Sequence, residues 1–308
     1  MNEPPVLPTD GPAADPSHRS ALDAADGALL DAVRALRWPA RRRVRTGLAG
    51  EHLSRALGGS AEFSEYRGYR QGDDPRRIDW KLFARSDRVF IRLSQDRMVL
   101  PTTIVVDASK SMAYPTTTLE KWEFARQVVL GLAAVTHQGG DPVGLVVVSG
   151  NGASRVPPRT RRGVVQEVAH ALRPLIPSGS LALAPAMVSL GSMGRVVIVS
   201  DFLGDAEALL QRGAELAARG RELYAIHVLH QNEVDPPHRT MLVVDPEQAD
   251  LRRPLTEETR RRYLASFNEW RAGLAHQWRS AGATYTQVIS TEGPANAVRR
   301  IVRATDAR

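Results

Sequence analysis

No cysteine occurs in the 308 residues. A disulfide framework, a thiolate nucleophile and any thiolate-ligated zinc or iron–sulfur centre are therefore excluded, and the absence suits a reducing compartment. Long apolar runs are missing as well. No stretch approaches the roughly 18 apolar residues that cross a bilayer. The first 18 residues, rich in Pro, Ala and Asp, lack the apolar centre of a secretion signal and read as a disordered tail. A soluble cytoplasmic protein is the expectation. Lysine is scarce: only Lys81, Lys110 and Lys121 stand among 41 basic residues. Arginine carries the rest of the basic charge, and it is unevenly spread. Residues 101–250 hold 13 basic and 15 acidic side chains, whereas residues 251–308 hold 11 and 5. Most of the formal net charge of +7 thus sits at the C-terminal end. Such charge can attract nucleic acid or acidic proteins, and composition alone does not decide whether this block binds anything.

What is present is an ordinary globular composition, 43% hydrophobic and 24% charged. Residues 19–57 read as helix with a break near Trp38-Pro39, and Gly58-Gly59 closes it. Residues 58–100 change character and read as β-rich. They contain a turn signal at Gly72-Asp73-Asp74-Pro75 and an alternating strand over Arg88–Leu93. From residue 102 short apolar runs alternate with amphipathic segments. Strands are expected at Thr103–Val106, Val143–Val148, Arg195–Ser200 and Leu223–Leu229. Helices are expected from a Thr117/Glu120 capping box, over Arg161–Leu172, over Leu181–Leu190 and over Asp205–Arg219. An excursion over residues 231–256 includes a strand at Thr240–Val244. A long helix over Thr256–Ala281 follows, with Tyr263, Phe267, Trp270, Leu274 and Trp278 on a core-facing stripe, then a strand over Ala283–Ile289 and a helix over Ala295–Val302. Fully apolar strands between helices imply an α/β fold, a mostly parallel sheet covered on both faces. Residues 101–308 form that domain, with flanking helices and the small β-rich attachment. Such sheets bind ligands beyond the C-terminal ends of their strands.

The chemistry expected there is metal binding. The first strand runs into Asp107-Ala108-Ser109-Lys110-Ser111, which presents a carboxylate and two hydroxyls at alternate positions. The third strand runs into Ser200-Asp201, a second carboxylate at the same rim. Ser178-Gly179-Ser180 precedes a helix and offers a further hydroxyl. Hard oxygen donors of this kind suit Mg2+ or Mn2+. The set resembles the metal-ion-dependent adhesion site of von Willebrand factor A domains. Carried over by position, that resemblance makes Asp107, Ser109, Ser111, Ser180 and Asp201 the ligands; the family usually has Thr where Ser180 stands. The fold implied is the von Willebrand factor A-like, Rossmann-like sheet.

Upstream, Glu62-Phe63 through Tyr69, Gly72 through Trp80, and Ala84-Arg85 resemble the signature of domain-of-unknown-function family 58, which joins such a segment to an adhesion-type domain. Within it, Asp73, Asp74, Arg76, Arg77 and Asp79 are expected to form an ion-pair network around Trp80, serving either as a buried junction or as a partner-docking surface. The resemblance implies a partner of MoxR-type AAA+ ATPases, an adaptor that captures an acidic residue of a client protein at the metal. No phosphate-binding Gly-rich loop, Gly-x-Ser-x-Gly elbow or paired metal-binding histidines accompany the site. A non-catalytic binding module is therefore expected. A nucleic-acid-binding regulator using the basic flanks and a metal-dependent phosphohydrolase are the alternatives.

Overall fold

Four apolar runs expected as strands do assemble side by side, in a computed structural model that describes residues 16–40, 63–71, 73, 75, 78–86, 88–94, 99–180, 182–191, 193–204, 206–238, 241–244 and 252–304. In chain order the elements are α1 (Pro16–Val33), β1 (Phe63–Gly68), α2 (Trp80–Ser86), β2 (Phe90–Ser94), β3 (Thr102–Ala108), α3 (Glu120–Gln138), β4 (Val143–Ser149) and β5 (Gly152–Arg159). They continue with α4 (Val164–Leu172), α5 (Leu183–Ala186), β6 (Arg195–Ser200), α6 (Ala206–Ala218), β7 (Glu222–Leu229), α7 (Gln231–Val234), β8 (Met241–Val244), β9 (Arg252–Leu255), α8 (Glu257–Ser280), β10 (Thr284–Ile289) and α9 (Pro294–Arg303). The chain divides into two units, residues 42–99 and the remainder.

The larger unit holds a six-stranded sheet in the order β10-β7-β6-β3-β4-β5. Every neighbouring pair is parallel except β4–β5. The two-residue period of a strand splits each one between two cores. Ile104, Val106, Val197, Val199, Ile226 and Val288 face α3, α4 and α9, whereas Val105, Val146, Ile198, Ala225 and Tyr285 face α5, α6 and α8. Both faces are thus covered, as the apolar strands require, and the expected α/β fold with a mostly parallel sheet is present. From β3 the chain passes to β4 on one side and later returns through β6 on the other. The reversal leaves a crevice beyond the C-terminal ends of β3 and β6.

Some expectations need correction. Helix α1 spans Pro16–Val33, so it starts before residue 19 and stops short of Trp38; residues 41–62, with Gly58-Gly59, lie outside the described residues, as do 1–15. Helix α1 also belongs to the sheet-bearing unit. The buried Arg126 of α3 grips Asp26 through both guanidinium nitrogens, at 3.0 and 3.1 Å. Helix α3 has no Thr117 cap: Leu119 stands at the N-cap in a left-handed conformation. The Glu120 carboxylate is instead engaged by His230, at 3.0 Å. The helix expected over Leu181–Leu190 shrinks to Leu183–Ala186 because arginines take its carbonyls. Arg155 binds Ala186 O at 2.7 Å, and Arg212 binds Met187 O and Val188 O, each at 3.2 Å. Strand β5 was not expected; its Pro157-Pro158 pair is tolerated because it lies at the sheet edge. Along α8 the aromatic stripe is graded, with Leu274 and Trp278 buried but Tyr263 exposed.

In the smaller unit β1 pairs antiparallel with β2. Asp79 caps the unexpected helix α2, accepting from the N–H groups of Lys81 and Leu82 at 3.0 Å each. Asp73 pairs with Arg67 at 2.7 Å. Trp80 is 63% exposed and packs edge-on against Phe83, so no ion-pair network among the described residues encloses it. Asp74, Arg76 and Arg77 lie outside the described residues.

His227 on β7 is fully buried among Phe202, Trp270 and Tyr285, and its Nδ1 meets the Tyr285 hydroxyl at 2.6 Å. Burial drives its pKa from 6.5 down to about 3. Below pH 6.5 the unfolded chain therefore takes up a proton that the folded chain refuses. Stability should fall as pH drops through that range and stay flat above it. Urea unfolding of the parent should show an extra loss approaching about 1.4 kcal/mol per pH unit between about pH 6 and pH 4, absent in His227→Phe. Equal slopes for the two proteins would show that His227 does not stay neutral in the fold.

Candidate functional site

Strands β3 and β6 end by the same local device. The Ser109 N–H returns to Asp107 Oδ1 at 2.9 Å, and the Leu203 N–H returns to Asp201 Oδ1 at 3.2 Å. Each bond is an Asx-type turn, which bends the chain away and leaves the carboxylate at the strand end. Ser200 ties the two ends together. Its hydroxyl donates to Asp107 Oδ2 at 2.6 Å and accepts from the Phe202 N–H at 2.9 Å. Beyond Asp107 the chain makes a short turn over Lys110–Ala113, which holds the Ser109 and Ser111 hydroxyls 3.1 Å apart.

Ser180 reaches this rim on a stitched loop. The Ser178 N–H bonds Ala108 O at 2.9 Å, the Lys110 N–H bonds Gly179 O at 2.9 Å, and the Gly150 N–H bonds Ser178 O at 2.6 Å. Gly179 and Gly150 meet backbone to backbone. A Cβ on Gly179, whose φ is +66°, would stand 2.5 Å from the Gly150 Cα. Only glycine combines that φ with that approach.

The result is one cavity of about 150 Å³ lined by Asp107, Ser109, Ser111, Ser180 and Ser200 on its polar side, with Leu183, Phe202 and Leu209 on its apolar side. Four of the five residues expected as metal ligands therefore share a cavity. Asp201 does not line it. Its Oδ2 is bound by the ammonium of Lys121 at 2.7 Å, and that ammonium also binds Glu233 Oε1 at 2.8 Å. Lys121 is fully buried. Glu233 is held in turn by the His230 N–H at 2.6 Å.

Two carboxylates, Asp201 and Glu233, thus share one ammonium, and Asp107 stands outside that pairing. Burial, and then the Asp201 charge, push the Asp107 carboxyl above its ordinary pKa. Burial acts the same way on Asp201, but the attraction of Lys121 outweighs it and holds Asp201 below the ordinary value. Lys121 is itself held above its ordinary value against burial by Asp201 and Glu233. Asp107 has no cationic partner among the described residues, so it is the buried charge still in need of one.

Lys121 and Glu233 were not expected from the sequence. Lys121 left a signal: it precedes Ala125 by four residues and Val128 by seven, on the apolar stripe of α3. A lysine on such a stripe needs a buried acid. Glu233 left none, because its role arises from the short turn after β7. Lys110, by contrast, is exposed.

The chain matches the family model described as "Protein of unknown function DUF58" over residues 65–273. It belongs to that family. Uncharacterized proteins of Mycobacterium tuberculosis and Mycobacterium bovis are each 30% identical to it over 270 residues, 85% of this chain and 84% of theirs. Among solved structures, an aerotolerance-related membrane protein from Bacteroides fragilis is 16% identical, covering 68% of this chain and 100% of that one at a TM-score of 0.41. BatB from Bacteroides thetaiotaomicron, a conserved hypothetical protein, is 14% identical with the same coverage and a TM-score of 0.40. No helix among the described residues of this family member is long and apolar enough to cross a membrane.

Removing the Lys121 ammonium should strand the buried Asp201 charge. Lys121→Met should destabilise the fold by about 3–5 kcal/mol in urea unfolding. Adding Asp201→Asn should restore part of that loss, because the uncompensated charge goes too. A double variant no better than Lys121→Met would show that packing of the lysine stem, and not its charge, is what matters.

Proposed function

We propose that this protein is a non-catalytic, metal-dependent protein-binding module. The observation that carries the reading is Asp107: a buried carboxylate without a cation among the described residues, at the rim of an open cavity whose other polar lining is hydroxyl. Hard, oxygen-only donors fit Mg2+ or Mn2+. Asp107, Ser109, Ser111 and Ser180 would hold the ion, with Asp201 behind them through Ser111. No group of three or more acidic or imidazole side chains that could hold a metal exists among the described residues. A site built on one open carboxylate and neutral hydroxyls leaves the ion short of negative charge. When bound, the ion supplies a Lewis-acidic anchor for an outside carboxylate, from an Asp or Glu of a partner protein. The apolar wall of Leu183, Phe202 and Leu209 would pack around that side chain's stem.

The cavity lining supports binding over turnover. It contains no imidazole, amine or second carboxylate to move a proton, and the nearby ammonium of Lys121 is committed to Asp201 and Glu233. Ser109 stands where a phosphohydrolase using Asp107 as nucleophile would need its acid. Family membership supports an adaptor role beside a MoxR-type AAA+ ATPase, presenting a client to it in maturation or assembly. The missing membrane-crossing helix among the described residues fits a cytoplasmic place for that work.

Calorimetry should show Mg2+ or Mn2+ binding to the parent and at least about a tenfold loss in Asp107→Ala. Gly179→Ala, which displaces the Ser180 loop, should weaken binding by a similar factor and leave the Lys121 pair intact. Pull-down followed by mass spectrometry should recover a partner in Mg2+ that chelation releases. Metal binding unchanged in Asp107→Ala would refute the ligand assignment. Metal-dependent hydrolysis of ATP or a phosphate ester, lost in Asp107→Asn, would replace the binding module with an enzyme.

A further inference from the structure

The basic C-terminal block folds into a cleft that the metal site does not use. Strand β10 ends the sheet, and no strand among the described residues lies on its outer side. Helix α8 covers one face of it and α9 the other. Across this open edge lies a cavity of about 470 Å³, lined by Arg271, Ala275 and Arg279 of α8, Tyr285, Thr286 and Gln287 of β10, and Arg300 of α9. Three guanidinium groups therefore surround one stretch of sheet edge.

Arg271 and Arg279 have no carboxylate partner among the described residues. The Arg271 Nε is buried without a hydrogen-bond acceptor, while the group lies 5.1 Å from the Phe267 ring centre. Arg279 is exposed and lies 5.6 Å from the Tyr285 ring centre. Arg300 is anchored to Glu292 and to the Gln287 carbonyl, each at 2.5 Å. Thr286 is only 8% exposed, and its hydroxyl has no partner among the described residues. Buried polar groups left unmatched in this way mark a place where a ligand would complete them.

The backbone adds a second requirement. The Gln287 carbonyl receives Arg300, and the Ile289 N–H donates to Glu292 Oε1 at 2.8 Å. Both partners lie on α9 or just before it, away from β7. By strand alternation the Tyr285 N–H and carbonyl and the Gln287 N–H face the same open edge, and these are the groups that an added strand would bond. An exposed edge of this kind accepts another extended chain. The spacing agrees. Arg271 and Arg279 are eight residues apart on a helix, about 12 Å along its axis, and four residues of an extended strand span about 13 Å.

We propose that this cleft binds an extended acidic segment of a partner protein, which adds a strand to β10 and places its carboxylates on Arg271 and Arg279. Arg300 borders the opposite face. A nucleic acid would satisfy the guanidinium groups but not the strand edge, so the acidic peptide is the occupant that matches both.

The test uses the full chain in EDTA and a fluorescein-labelled peptide of about eight residues that alternates Glu and Thr, a length that fills one strand. Anisotropy should show binding, retained in Asp107→Ala, which separates this site from the proposed metal centre. Arg271→Gln/Arg279→Gln should weaken it at least about tenfold. Arg261→Gln/Arg262→Gln, exposed on the same helix, should change it less than about twofold. Methylating alternate backbone nitrogens of the peptide should also weaken it at least about tenfold. If the double variant melts early, the exposed Arg279→Gln alone replaces it, with a smaller loss in the same direction. Absence of binding, equal loss in the two double variants, indifference to backbone methylation, dependence on Asp107, or displacement by a single-stranded oligonucleotide or inorganic phosphate at lower concentration than by unlabelled peptide would each overturn the proposal.

Discussion

Two like charges placed at the ends of neighbouring strands are the constraint around which the rest of this fold is arranged. Parallel pairing of β3 with β6 sets Asp107 beside Ser200, one residue from Asp201. Both carboxylates are buried, where repulsion is much stronger than in water. The structure treats them differently. Asp201 receives a buried ammonium, and Asp107 receives only neutral donors. That asymmetry separates a carboxylate that belongs to the fold from one that remains open to the cavity. It also recruits the surroundings: Lys121 must come from the apolar face of α3, and Glu233 must close the ammonium's far side.

The opposite end of the sheet is fixed by cations in a different way. Arg195, fully buried at the start of β6, bonds Glu222 at 3.2 Å and the Pro39 carbonyl at 2.9 Å, and lies 4.1 Å from the Trp38 ring centre. With Arg126 gripping Asp26, this closes the N-terminal segment onto the body of the sheet. Arginine serves here because its planar fork satisfies several acceptors at once and stacks on an aromatic face. Lysine appears where a compact charge must be enclosed by two carboxylates. The scarcity of lysine made Lys121 conspicuous in composition, and its position on the helix stripe made it interpretable.

The fold was legible because its signals were local and repeated. Buried strands such as Val143–Ser149 and Arg195–Ser200 are apolar on both faces, and the helices between them carry one apolar stripe. Boundaries were less legible where distant side chains decide them. The early stop of α5 depends on Arg155 and Arg212, which arrive from β5 and α6. At the start of α3, the Glu120 carboxylate expected to complete a local capping box meets His230, more than a hundred residues away. At the candidate site, Asp107, Ser109, Ser111 and Ser180 could be named from spacing because strand ends and loop starts place them. The orientation of Asp201 could not be, since only tertiary contact reveals Lys121 and Glu233. The exposed Trp80 shows the same limit, because nothing in a charged, aromatic run states which side chains turn inward.

The partial neutralisation at the rim bears on how the proposed centre would work. With Asp201 already matched by Lys121, the fold does not need an ion to offset that charge, and the domain can stand without one. The open carboxylate of Asp107 and the hydroxyls around it then give an ion only part of its preferred negative charge. Affinity for the ion and for a partner's carboxylate would therefore rise together, each binding more tightly in the presence of the other, as linkage demands of two ligands that share one site. A centre with both carboxylates free would hold its ion firmly alone and gain less from the partner. In the proposed centre, the buried lysine would thus be the feature that turns a general cation site into one whose occupancy reports a partner.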